Sequence, residues 1–126
     1  MRKIFFAVMF VVAVTFSQTC AAQDVWVNSF EGTDVYVMDD TLRDVSNKNY
    51  KHFKISVKHV ENGKLQRVVN WTYDNYTDVW RYEIEGIQLD HTNPVRPRDL
   101  VFEFCMNRLS WSYRIKGNDP IIKFYY

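Results

Sequence analysis

The sequence predicts an α+β domain: an antiparallel β-sheet of about five to six strands, with one C-terminal helix packed on one face and a last strand after it. Three observations carry this expectation. Apolar and polar residues alternate with period two from His52 to Tyr73, on both sides of Asn62-Gly63. The period changes to helical spacing across Leu100, Val101, Phe104, Cys105 and Leu109. Gly117-Asn118-Asp119-Pro120 then breaks the chain before the apolar run Ile121 to Tyr126.

In chain order, Val25-Trp26-Val27 and Val35-Tyr36-Val37-Met38 are β-branched and aromatic runs separated by Phe30 to Asp34, which predicts a hairpin. Asp39 to Lys51 is polar and fits a loop or a short helical turn. Phe53, Ile55 and Val57 alternate with Lys54, Ser56 and Lys58, the pattern of a strand with one wet face. Asn62-Gly63 supplies the positive φ angles of a two-residue type I′ turn. Beyond it, Leu65, Val69, Trp71 and Tyr73 share one face of a strand, with Arg67 as the exception. Asp74 to Asp78 is a polar turn, and Val79 to Glu85 places Trp80, Tyr82 and Ile84 on one side. Gly86 to Arg96 is a connector, because Pro94 and Pro97 interrupt any continuous ladder or helix. A helix is expected from about Arg98 to Leu109, with Pro97 and Asp99 at its start and Arg108 in its last turn.

The N-terminus points to export. Arg2 and Lys3 precede an uncharged run from Ile4 to Phe16, followed by the smaller residues Ser17 to Ala22, which is the layout of a secretory signal peptide. The run is shorter than the roughly 20 residues a bilayer-spanning helix needs, so a processed leader fits better than an anchor. Cleavage after Ala22 is favoured over cleavage after Ala21. A lipidated Cys20 is the weaker reading, since Ser17 and Thr19 fit a lipoprotein signal poorly. The expected organisation is thus a signal peptide over 1–22 and one exported domain over 23–126, placed in the periplasm, at the cell surface or outside the cell, with no transmembrane segment after cleavage.

The leader takes two of the 16 basic residues and none of the 15 acidic ones, leaving a balance of −1. Such a surface has no field to gather a polyanion, which disfavours nucleic acid as a partner. Of the two cysteines, Cys20 departs with the leader, so Cys105 is expected as a small buried hydrophobe rather than part of a disulfide framework. His52, His59 and His91 have no metal-ligand neighbours at useful spacing, and Asp39-Asp40 and Asp74…Asp78 lack the graded ligand order of a calcium loop. Neither a metal nor another cofactor is expected. No nucleophile motif or phosphate loop is present, and the chain is read as non-enzymatic. Asn70-Trp71-Thr72 and Asn75-Tyr76-Thr77 match the N-glycosylation pattern and are read as chance occurrences in a bacterial chain.

The four Trp and eight Tyr, with the five of the nine Phe that lie beyond the leader, are more rings than a domain of this size hides completely. Trp and Tyr pair large apolar area with a polar handle and favour contact surfaces. The candidate binding residues are Trp71, Tyr73, Tyr76, Trp80, Tyr125 and Tyr126. Of these, Tyr76, Tyr125 and Tyr126 are expected to be exposed, being in a turn and at the terminus.

Trp26-Val27, then Asp34 to Leu42, then Phe53 to Lys58 resemble the opening of small exported bacterial proteins of the surface-adhesin protein E type. The resemblance covers about residues 24 to 60. It implies an antiparallel sheet with a helix packed on it, and adhesin-like contact with host proteins in the namesake. The expected function is therefore an exported binding or surface-interaction domain whose partner is a host or envelope protein. The alternative is a periplasmic inhibitor or small-ligand carrier, in which loops or a cavity between sheet and helix hold the partner.

Overall fold

The structure is a computed structural model that describes residues 24–87 and 93–126. The expected leader with Cys20, and His91, lie outside the described residues. Strands β1 (Asp24–Phe30), β2 (Thr33–Asp44), β3 (His52–Glu61), β4 (Lys64–Tyr76), β5 (Val79–Ile84) and β6 (Asn93–Pro94) form one antiparallel sheet in that order. Helix α1 (Leu100–Leu109) follows, then a small second sheet of β7 (Ile115–Lys116) and β8 (Phe124–Tyr125). This is the expected α+β architecture.

Three two-residue turns build the first five strands into hairpins, and each places both central residues at positive φ: Glu31-Gly32, Asn62-Gly63 and Thr77-Asp78. Positive φ at both positions matches the twist of the flanking strands. Only the last of the three lacks glycine, so Thr77 and Asp78 each hold a conformation that costs an L-residue about 1 kcal/mol.

The polar stretch after Met38 is neither loop nor helical turn at first: β2 continues through it to Asp44. Met38 pairs with Ser56 and Arg43 with Lys54, so Asp39 to Leu42 bulge out opposite the single residue Ile55. Thr41 holds this bulge. Its hydroxyl donates to the Met38 carbonyl (2.6 Å) and accepts from the Ser56 amide (2.9 Å). Asp39 reaches Arg108 near the end of α1 at 3.0 Å.

Val37, Phe53, Ile55, Val57, Tyr73 and Trp80 point to the helix side and meet Val101, Phe102, Cys105 and Met106 of α1. The helix differs from expectation in two respects. It begins at Leu100, not Arg98, because Asp99 is its N-cap and accepts from the Phe102 amide at 3.0 Å, while Arg98 sits at φ +75°. Its buried stripe also includes Phe102 and Met106, whereas Leu100 is exposed and Phe104 half-buried. Ser110, in the left-handed region, ends the helix.

The last strand is shorter than expected. Ile121 and Ile122 are exposed, the former by 80%, and only Phe124–Tyr125 pairs, with Ile115–Lys116. Tyr125 also donates its amide to the Val95 carbonyl (2.9 Å), and Val95 donates to Trp80 (2.8 Å), which joins the small sheet to the large one. Between β7 and β8, Gly117 is obligatory: a Cβ there would collide with the Ile122 carbonyl oxygen.

Candidate functional site

Because Val37 and Val57 are core residues, their strand neighbours Tyr36 and Lys58 face away from the helix. Cross-strand register sets Trp26 beside Tyr36, Tyr36 beside Lys58, and Lys58 beside Val68, one continuous row over β1 to β4. Val60 and Leu65 form the next pair on that face, since the bulge at Gln66 keeps them opposed. Trp26 is 55% exposed, and Leu65 and Val68 are comparably open. This is an aromatic and aliphatic patch on the face that α1 leaves uncovered.

The patch is ordered by its polar atoms. The Trp26 indole Nε1 donates to Ser29 Oγ at 3.1 Å, and that hydroxyl donates to the Asp34 carboxylate. The ring is therefore tied at its polar end while its apolar face stays open. Lys58 meets Asp24 at 2.6 Å, so the charge inside the patch is neutralised on the spot.

Further along the same face, the surface becomes polar. A groove of about 720 Å³ is lined by Arg43, Lys54, Ser56, Asn70, Glu83 and Glu85 among others. Ser56 donates to Asn70 Oδ1 (2.6 Å), and Asn70 in turn donates to Glu85. An apolar centre bordered by polar side chains is the anatomy of a protein-binding face.

The residues singled out from sequence do not form one surface. Tyr76 is 59% exposed, on the face away from the helix, with its ring edge-on to Tyr50 at 5.8 Å. Tyr126, expected to be exposed, is half-buried, with the Lys116 ammonium 5.6 Å from its ring centre. Trp71 is half-buried on the helix side, stacked on Tyr82. Tyr73, Trp80 and Tyr125 are core residues, exposed by 0, 1 and 1%. For Tyr125 this corrects the expectation of exposure: although next to the chain end, it stacks on Phe102 at 4.7 Å and its hydroxyl donates to Glu103 at 2.7 Å. Trp26, Tyr36, Leu65 and Val68 were not singled out. The Asn-Gly turn was the signal that could have found Leu65, because it sets Leu65 opposite Val60; the bulge at Gln66 then shifts the register, which puts Val68 opposite Lys58 and places Leu65 on the other face from Val69, Trp71 and Tyr73, correcting the expectation that the four share one face.

The titrating groups inside the domain are tuned by burial. Burial pushes the Cys105 thiol far above its ordinary range, with nearby Asp99 and Asp39 adding to the effect, so it is held as an unreactive thiol. Burial raises Tyr73 well above the usual phenol range, and the Asp99 carboxylate that accepts its proton at 3.2 Å adds to this. Asp99 itself is raised by burial, against the opposing pull of the Phe102 amide and the Tyr73 hydroxyl. His59 is lowered, first by burial and then by Arg67.

Among the described residues, no cluster of His, Cys, Asp and Glu is arranged to hold a metal ion. Among the same residues, no helix is long and apolar enough to cross a membrane. No family model, no curated protein and no solved structure matches this chain.

Proposed function

We propose that the protein is an exported, non-enzymatic binding domain that docks a protein partner against the helix-free face of its sheet, in the manner of a surface adhesin. The observation that carries the reading is Trp26: a tryptophan half open to solvent whose indole N–H is already satisfied within its own strand. Covering the exposed half of such a ring, on the order of 100 Å² of apolar surface, is worth about 2.5 kcal/mol. Holding the ring in place beforehand lowers the entropy lost on contact. Tyr36, Val60, Leu65 and Val68 extend the apolar area, and the polar groove at its border supplies hydrogen-bonding groups that are already arranged. The partner is a host or envelope protein; contact with host proteins is what the resemblance to protein E-type proteins implies.

The test compares the purified protein with a Trp26→Ser/Val68→Asn variant. Both are used to capture partners from envelope fractions and host matrix proteins, and a captured protein is then purified and titrated by biolayer interferometry. The reading expects at least a tenfold weaker Kd for the variant with an unchanged thermal midpoint. Equal affinities would remove the face from consideration. Export is checked by N-terminal sequencing of the native product: a start at Gln23 is expected, and a cytosolic product starting at Met1 would overturn it.

A further inference from the structure

We propose that the groove on the opposite, helix-side face of the sheet, between β4–β5 and the 93–101 segment, binds a small organic carboxylate with a flat apolar body. The groove holds about 590 Å³, within the range of small-ligand sites. Trp71 and Tyr82, stacked at 5.5 Å with 28° between their planes, form an aromatic wall. A flat apolar body stacks on such a wall.

Four side chains around this wall are donors: Trp71, His59, Arg96 and Arg98. The Trp71 indole nitrogen is fully buried and has no hydrogen-bond partner among the described residues. A buried donor left unsatisfied is rare in folded proteins and calls for an acceptor. His59 accepts from Arg67 Nε at its Nδ1 (3.4 Å), which leaves the imidazole proton on Nε2 as another donor. Arg96 and Arg98 also line the groove, and among the described residues neither guanidinium makes an ion pair or hydrogen bond. Asp99 is the one carboxylate in the lining, and its oxygens are turned to the Phe102 amide and the Tyr73 hydroxyl.

Arg98 adds an independent sign. It adopts φ +75°, a region that disfavours any side chain, and its amide is held there by the Tyr125 hydroxyl at 3.0 Å. Backbone held in such a conformation is concentrated at ligand-binding positions. Aromatic wall, unpartnered donors and two cations together select a ligand that is flat at one end and anionic at the other. This site lies on the other side of the sheet from Trp26, so either proposal can fail without the other.

The experiment is a ¹⁵N–¹H NMR titration of the purified protein, reading the Trp71 indole N–H, which Trp71→Phe identifies by its loss. The ligand probe is 2-naphthoate, and the neutral control is 2-naphthamide. Saturable displacement of the Trp71 signal by the acid is expected, with the amide weaker by about tenfold, the difference between a charged and a neutral hydrogen-bonding partner. Arg96→Gln and Arg98→Gln should each weaken 2-naphthoate several-fold, and Arg98→Lys should restore most of the affinity; the dispersion of the amide spectrum reports that each variant is folded. Equal affinity of acid and amide, displacement of the Trp26 signal instead of Trp71, or indifference to both arginine substitutions would overturn the proposal. Tighter binding of a free-acid pentapeptide ending in Phe would reassign the groove to chain termini and overturn the small-molecule reading.

Discussion

Replacing Phe102 by alanine should remove a large share of the stability of the domain. Phe102 is fully buried, and its ring lies 4.7 Å from Tyr125, 5.3 Å from Trp80, 5.5 Å from Tyr113, 5.7 Å from Tyr73 and 6.3 Å from Phe53. Those five rings come from β3, β4, β5, β8 and the segment after α1, so no single element can move inward to fill the space. Core Phe→Ala changes cost about 3–5 kcal/mol, most where the cavity cannot close. A value near 4 kcal/mol is therefore expected, against a total of roughly 5–15 kcal/mol for a domain of this kind. The corresponding fall in Tm is roughly 16–32 °C. Urea unfolding followed by tryptophan fluorescence and far-UV circular dichroism measures the loss. The comparison is Phe104→Ala, two residues on and so on another side of the helix, where the ring is half-buried and packs on the Arg108 guanidinium at 5.2 Å; a cost of about 1 kcal/mol is expected there. If the two variants differ by less than about 1 kcal/mol, the helix does not present the face described and the reasoning fails.

Asp99→Ala should cost roughly 2–4 kcal/mol, because it removes the helix cap and also strands the buried Tyr73 hydroxyl; Asp99→Asn, which can still cap, should cost less than half as much in the same urea assay. Stability should fall above pH 9. The folded protein keeps Cys105 and Tyr73 protonated beyond their ordinary values of 9.0 and 10.0, while the unfolded chain ionises them, so their contribution is complete below pH 9 and is lost as pH rises. The slope is about 1.4 kcal/mol per pH unit for each group, and Cys105→Val should flatten the urea midpoint between pH 9 and 10. Gly117→Ala should be worse than Gly63→Ala, since both positions have positive φ but only Gly117 faces a backbone oxygen; hydrogen exchange should show the β7–β8 pairing opened in the first and the β3–β4 hairpin retained in the second.

The sheet was legible where its determinants are local. Asn62-Gly63 encodes its own turn, and the alternation of Phe53, Ile55 and Val57 encodes its own face. The length of β2 was not legible, because the bulge takes Asp39 to Leu42 out of alternation and so imitates a loop. The helix face was misjudged by one residue for a related reason: Leu100-Val101-Phe102 and Phe104-Cys105-Met106 are apolar on adjacent faces, and only the position of the Asp99 cap decides which of them turns inward. Trp26 and Trp80 are both flanked by strand residues, yet one is open and the other closed. Their difference is set by which side of the sheet α1 covers, and no property of either strand states that. The Trp71 groove was equally hidden, since it joins β4 and β5 to β6, the connector before α1 and the first residues of α1.

The irregularity at Thr41 divides β2 into two separately indexed halves. Toward the Glu31-Gly32 turn, pairing with β3 is set by Tyr36 opposite Lys58 and Val37 opposite Val57; beyond it, Arg43 and Asp44 find Lys54 and Phe53 by their own count. Adding or deleting a residue among Asp39 to Leu42 would consequently be absorbed where it occurs, shortening or lengthening the tether from Asp39 to Arg108 while every other rung of the ladder stays in step. That stretch is the natural place for a homologue to vary in length, or for an engineer to splice in a peptide, without inverting the sheet.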